Sequence, residues 1–242
     1  MSGTIICVTM RYGSKRLPGK ALADLGLGFT PVSLLSAQLS PAPYPMVLCV
    51  PEGEEGDPIA AHAAGLGVTC HRGSLANVLG RMLSAADRFG ADTVVRITGD
   101  DLFVDSGRLA RLVEAHHDAA ADLTYSDLPK GTECQVMSVA LLRRMVEGAE
   151  DDTECWDKQR DAGWTKGARL QCVPLSPVPA DEATFAVELD TPDDADTIRD
   201  AIRRLTELGR SAPFRVEDLA ALHAARPFPK ARHPVYQPRS QG

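Results

Sequence analysis

Four cations, Arg11, Lys15, Arg16 and Lys20, fall within ten residues of one another near the start of this 242-residue chain, interleaved with Gly13 and Gly19. An arginine guanidinium can fork onto two phosphate oxygens, and a lysine ammonium supplies a compact charge. Glycines let the backbone come close to a ligand and turn N–H groups toward an anion. The apolar run at 4–10 just before this loop reads as a buried strand, which places the loop at the carboxyl end of a sheet. Open α/β folds bind ligands there. The pattern therefore points to a polyanion such as a nucleoside triphosphate, against the alternative of a solvated basic turn.

Two carboxylates share that placement. Asp100 follows a glycine at the end of the strand-like run at 93–97, and Asp190 ends an apolar run at 185–189. Oxygen ligands from two separate strands suit magnesium, which keeps several waters and completes its shell with phosphate. Asp190, before Thr191-Pro192, reads equally as a helix cap, and Asp101 and Asp105 as capping residues.

Alternating elements must carry these groups. Strands are expected at 4–10, 46–50, 68–70 and 93–97, and helices at 31–39, 57–66, 75–89 and 108–117, with Asp57 capping the second. Such alternation predicts βαβ units around a mostly parallel sheet. Beyond residue 125 the rhythm changes: strands at 134–138, 170–173 and 185–189, then a helix from Asp190 to about 208. We expect one α/β domain over 1–210, a small antiparallel flap within about 127–185, and a C-terminal helix and proline-rich tail over 211–242.

The blocks carrying these residues resemble those of the spore-coat-polysaccharide type of cytidylyltransferases, relatives of the enzymes that make CMP-sialic acid and CMP-KDO. Residues 11–20 (RYGSKRLPGK) are similar to the family's RxGSxRLPGK signature. Arg72-Gly73-Ser74 with Asn77-Val78-Leu79 and Arg81 resembles RGSxxNVLxR, residues 96–100 match RITGD, and residues 189–193 are similar to VDTPED. The resemblance implies a three-layer, Rossmann-like nucleotidyltransferase fold, usually dimeric, that binds CTP and Mg2+. It implies nucleotide contacts at Arg11, Gly13, Ser14, Arg16, Lys20, Arg72, Ser74, Asn77 and Arg81, metal on Asp100 and Asp190, and catalysis by Arg16, Lys20 and Asp100. Glu133 and Gln135, in a GxDxEVFS-like stretch, would face the acceptor on one side of a strand.

The chain also departs from that pattern. Thr9-Met10 stands where the family has Gln-Ala, Asp101-Leu102 follows Gly-Asp in place of Cys-Pro, and the REHVTPY-like block is replaced around residues 154–158. The acceptor is thus not inherited from the resemblance. Lys130, Lys158, Arg160 and Lys166 around the rewritten region make a small anion, such as an acidic sugar or phosphonate, the expected acceptor, with Lys158 and Arg160 its nearest contacts.

A sugar-nucleotide-dependent glycosyltransferase would show a DxD triplet, and Gly99-Asp100-Asp101 lacks that spacing. Use of a triphosphate other than CTP stays open, as does a regulatory protein that binds nucleotide without turnover. The formal charge of −7 argues against nucleic acid, and no apolar run reaches the roughly 20 residues of a membrane span. With no leader-like N-terminus, a cytoplasmic protein is expected. The six cysteines are scattered singly and read as small hydrophobes, and His116-His117 as a solvated helix end.

Overall fold

The computed structural model describes residues 3–147, 167–177 and 185–228. Among them, strands β1 (Thr4–Thr9), β2 (Met46–Pro51), β3 (Cys70–Gly73), β4 (Thr93–Thr98), β5 (Leu123–Ser126), β6 (Gln135–Ser138) and β7 (Leu170–Val173) form one sheet. Its order is β3-β2-β1-β4-β6-β5-β7. Strands β1 to β4 run parallel, β6 is antiparallel to β4 and β5, and β7 is parallel to β5. Every residue of β1 is buried, as expected of a central parallel strand covered on both faces. Thr9 lies level with Cys49 of β2 and Thr98 of β4, so the carboxyl ends of three strands open on one edge.

Helices cover both faces. On one side α1 (Pro31–Leu39), α2 (Asp57–Gly65), α4 (Ser106–Asp118), α6 (Pro192–Glu207) and α7 (Val216–Ala225) pack on the face carrying Ile6, Val8, Leu48, Val95 and Ile97. On the other, α3 (Val78–Phe89) and α5 (Val139–Glu147) cover Ile5, Cys7, Val47, Cys49 and Val94. The alternation of Ile5, Ile6, Cys7 and Val8 between two cores is the period of two that makes three layers from one strand. No helix among the described residues is long and apolar enough to cross a membrane.

Several boundaries differ from expectation, each for a local reason. Helix α2 is capped by Gly56, with Asp57 as its first residue, because Pro58 fits the first turn without an N–H to lose. Strand β3 spans 70–73 instead of 68–70, after the left-handed turn at Gly67 (φ 69°). Helix α3 starts at Val78 instead of 75, since Asn77 turns its side chain to accept the Gly80 N–H at 2.6 Å. Residues 185–189 do not form a ladder strand; Ala186 makes a single bridge to Lys130. Helix α5 was hidden because β6 runs into it without a breaker, Ser138 Oγ accepting the Leu141 N–H at 3.1 Å. The strands β6 and β7 from the interval expected to form a flap are members of the main sheet.

His116 also differs from expectation: it is buried, not solvated, with Nδ1 2.9 Å from Thr124 Oγ1. Burial, reinforced by the neighbouring His117, lowers its pKa from 6.5 to about 4. The unfolded chain therefore binds a proton here that the folded chain refuses between about pH 6.5 and pH 4. Stability supplied by the neutral ring is complete above the upper value and falls as pH drops through that window. Denaturant titrations of the wild type should show this acid-side slope, and a His116→Gln variant should flatten it; equal slopes would contradict the assignment.

Candidate active site

Lys20 is the hub. It follows Gly19, whose φ of 70° starts the short 3-10 turn Lys20–Leu22 and swings the lysine across the carboxyl edge of the sheet. Its Nζ lies 3.1 Å from Asp100 Oδ2, 3.1 Å from the Leu189 carbonyl and 3.5 Å from Asp190 Oδ1. Arg16 pairs with the other oxygen of Asp190. The two carboxylates are set by backbone: Gly99 N–H donates to Thr9 O at 2.9 Å, and Leu189 N–H donates to Asp100 O at 3.0 Å. Thr191, not Asp190, caps α6, in a box with Asp194. The Asp190 carboxylate goes to Lys20 and Arg16 instead. Four residues scattered over 174 positions of sequence, Arg16, Lys20, Asp100 and Asp190, thus converge.

The same geometry tests whether a divalent ion fits. Among the described residues no group of three or more His, Cys, Asp or Glu side chains is arranged to hold a metal. Asp100 and Asp190, however, already share one cationic atom, the Lys20 ammonium. Two hard oxygen donors around one positive centre match the sparse protein contribution typical of magnesium held with phosphate. The pair fits the ion.

The residues expected to meet a nucleotide sit on the loop after β1, the end of β3 and the start of α3, with the turn after β2 packed against them. Tyr12 O receives the N–H groups of Ser14 (2.9 Å) and Gly19 (3.0 Å), folding the loop on itself. The Gly19 N–H is therefore not turned toward an anion as expected. The Gly13 N–H is, but the anion is the protein's own Glu55, at 2.6 Å. Arg72 pairs with Asp57. Ser74 Oγ accepts the Asn77 N–H at 3.2 Å, and Arg81 donates to Ser74 O at 2.6 Å. Arg81 is buried, held by that carbonyl and not by a helix-surface ion pair; burial lowers its pKa. Ser74, Asn77 and Arg81 thus shape one turn beside Arg72. Arg11 is exposed and close enough for its charge to disfavour that of Arg81.

Beside Asp100 opens a small polar cleft of about 40 Å³ lined by Arg96, Asp101, Ser126, Glu133 and Gln135, among others. Glu133 and Gln135 both reach it, although Glu133 lies before β6 and not on it. Arg96 donates to Gln135 Oε1 at 3.1 Å, and Lys130 pairs with Glu133. Burial raises Asp101, helped by Asp100 and Glu133. Burial also raises Glu133, outweighing Lys130, while the acids around Lys130 more than offset its own burial and raise it. Ser126 Oγ is buried without a hydrogen-bond partner among the described residues. Lys158, Arg160 and Lys166 lie outside the described residues. Sequence reasoning missed Arg96, Asp101, Ser126 and Glu55 as site residues; a cation inside the apolar run of β4 was the one available signal.

A family model described as cytidylyltransferase matches residues 5–156. The chain is 31% identical over 148 residues to the spore coat polysaccharide biosynthesis protein SpsF of Bacillus subtilis (strain 168), covering 59% of this chain and 62% of that protein. It spans less than two thirds of that relative's length. Its fold is similar to that of a cytidylyltransferase from Leptospira borgpetersenii serovar Hardjo-bovis (strain JB197), with a TM-score of 0.82 at 21% identity over 98% of this chain and 100% of that one. It is also similar to a CMP-2-keto-3-deoxy-manno-octonic acid synthetase solved with CTP, with a TM-score of 0.67 at 13% identity over 84% and 99% of the two chains. Rv0371C of Mycobacterium tuberculosis, solved with manganese, gives a TM-score of 0.60 at 14% identity over 83% and 99%.

The loop that carries Lys130 and Glu133 depends on Gly131, whose φ of 88° and tight approach leave no room for a side chain: an added Cβ would lie 2.6 Å from Glu188 N. Gly131→Ala should cost at least about 2 kcal/mol, combining the left-handed penalty with backbone overlap. Urea denaturation measures it; a loss below half that value would show that the loop relaxes freely.

Proposed function

The chain belongs to the cytidylyltransferase family, and we propose that it transfers CMP from CTP to an oxygen of a small anionic acceptor, releasing pyrophosphate. The observation that carries this reading is the convergence of Arg16 and Lys20 on Asp100 and Asp190. Such a centre can hold a polyanion and an acceptor oxygen together, and phosphoryl-type transfer asks little more of a protein than alignment and charge neutralisation. The glycosyltransferase alternative gains no support from the site.

Arg11, Arg16 and Lys20 hold the phosphates and stabilise the charge that gathers on the departing pyrophosphate. Gly13 and Ser14 bring the loop backbone against them, and Arg72, with the turn held by Ser74, Asn77 and Arg81, contacts the rest of the nucleotide. Asp100 and Asp190 hold the divalent ion, taken as Mg2+; when bound it neutralises phosphate charge and lowers the pKa of the attacking hydroxyl. Arg96 offers a cation to the acceptor's anionic group, and Glu133, Gln135 and Ser126 accept or donate hydrogen bonds to its polar groups. The solved manganese complex of Rv0371C supports a divalent requirement, and the CTP complex of the CMP-2-keto-3-deoxy-manno-octonic acid synthetase supports the nucleotide.

Three predictions test this reading through pyrophosphate release with a panel of acidic sugars and phosphonates. Arg16→Ala and Lys20→Ala should each lower turnover at least tenfold, equivalent to about 1.4 kcal/mol of transition-state stabilisation. Asp100→Asn and Asp190→Asn should abolish it, as should excess chelator. Normal kinetics in the arginine and lysine variants, or full activity in chelator, would remove the assignment. CTP should exceed UTP, GTP and ATP in kcat/KM, an expectation carried by the cytidylyltransferase family; a site that hydrogen-bonds cytosine would reject bases that leave its polar groups unpaired. Equal efficiency with UTP would refute the base preference alone.

A further inference from the structure

We infer that Glu55 is a built-in competitor for the nucleotide loop: its carboxylate holds the Gly13 N–H that a phosphate oxygen of the substrate must take over. The inference rests on the nucleotidyltransferase reading above. Glu55 Oε2 accepts the Gly13 N–H at 2.6 Å, and Glu55 O accepts the Tyr12 N–H at 2.9 Å, so one residue clamps two successive positions of the loop. The contact is close enough that a Cβ on Gly13 would lie 2.6 Å from the same Oε2. Two residues on, Asp57 occupies Arg72. The segment after β2, Glu52-Gly53-Glu54-Glu55-Gly56-Asp57, thus sets Glu55 against the loop that carries Arg11, Lys15, Arg16 and Lys20, and Asp57 against Arg72.

The contact sits at the surface, where a ligand can reach it. The turn is a single 3-10 turn, Gly53–Glu55, with Glu52, Gly53 and Glu54 exposed. Gly53 takes φ 71° with no atom near its Cβ position, and its carbonyl accepts the Gly56 N–H at 2.9 Å. A triphosphate brings several oxygens and more charge to the same donors, so it can exchange with a lone carboxylate. A purely supporting Glu55 would have the opposite effect on binding: removing it would loosen the loop and weaken nucleotide affinity.

Calorimetric titration of the full chain with CTP in the presence of Mg2+, and separately with pyrophosphate, distinguishes the two. Glu55→Gln and Glu55→Ala should bind both probes about fivefold more tightly than the wild type, the scale of one net hydrogen bond to a charged group discounted for exposure. Glu54→Gln, which neutralises a neighbouring charge that does not touch Gly13, should leave both affinities unchanged. Equal or weaker binding by the Glu55 variants, an equal gain in Glu54→Gln, or loss of folding in both Glu55 variants would overturn the inference. If wild type and variants alike bind neither probe, the nucleotidyltransferase reading falls and takes this inference with it. Binding by the wild type with no gain in the variants removes the inference alone.

Discussion

The Lys20 ammonium is the contact on which the site depends. Asp100 and Asp190 lie on segments remote in sequence, and their backbones are fastened together by the Leu189 N–H to Asp100 carbonyl bond. Two carboxylates drawn that close repel unless a positive charge stands between them. Lys20 supplies it, reaching over from the loop after β1 and taking the Leu189 carbonyl as its third acceptor. The lysine is only 19% exposed and Asp190 only 12%, so screening by water is limited. The parallel register of β1 with β4 and the capping box that starts α6 both serve to bring these three side chains to one point.

A second cluster, on the acceptor side, balances differently. Arg96 and Lys130 face Asp101 and Glu133 in a cleft where burial opposes every charge. Lys130 keeps its proton firmly because three acids surround it, whereas the carboxyls of Asp101 and Glu133 are both pushed upward. Such a near-neutral, hydrogen-bond-rich wall suits hydroxyls as well as one compact negative group. This sits beside the expectation of an anionic acceptor: the described cations of the cleft are already paired, and Ser126 and Gln135 add neutral polar atoms.

What could be read from sequence was whatever has a local cause. The largely apolar TIICVT run, the proline starts of α1 and α6, and the alternation of strand and helix gave the three-layer sheet with most boundaries near their observed places. The basic loop and the two strand-end aspartates were legible because glycine spacing and element order bring them to one edge. Missing were the contacts made across distance. Glu55 sits in a surface-looking acidic turn, and only the pairing of β1 with β2 sets it against Gly13. His116 lies in the last turn of α4 as expected, but it looked solvated because nothing local shows that Thr124 of β5 packs against it. Asp101 looked like a cap, yet Asp105 does that work through the N–H groups of Gly107 and Arg108, leaving Asp101 to the cleft.

One electrostatic theme connects a chain of net charge −7 with a site meant for a polyanion. Several of the predicted nucleotide-binding groups are already matched to an internal anion: Arg16 to Asp190, Lys20 to Asp100 and Asp190, Arg72 to Asp57, and the Gly13 N–H to Glu55. Unpaired, such a cluster of cations would repel itself and destabilise the loop. The exposed Arg72–Asp57 and Gly13–Glu55 contacts are weak, since exposed ion pairs contribute only about 0–1 kcal/mol, whereas the pairs made by Lys20 are better shielded. A ligand that carries several phosphate oxygens on one frame can displace these separate carboxylates together, losing little and gaining the field of the whole cluster. Under the function proposed above, the acidic turn and the basic loop would act as one unit: nucleotide binding would exchange one set of anions for another and leave Asp100 and Asp190 to the divalent cation.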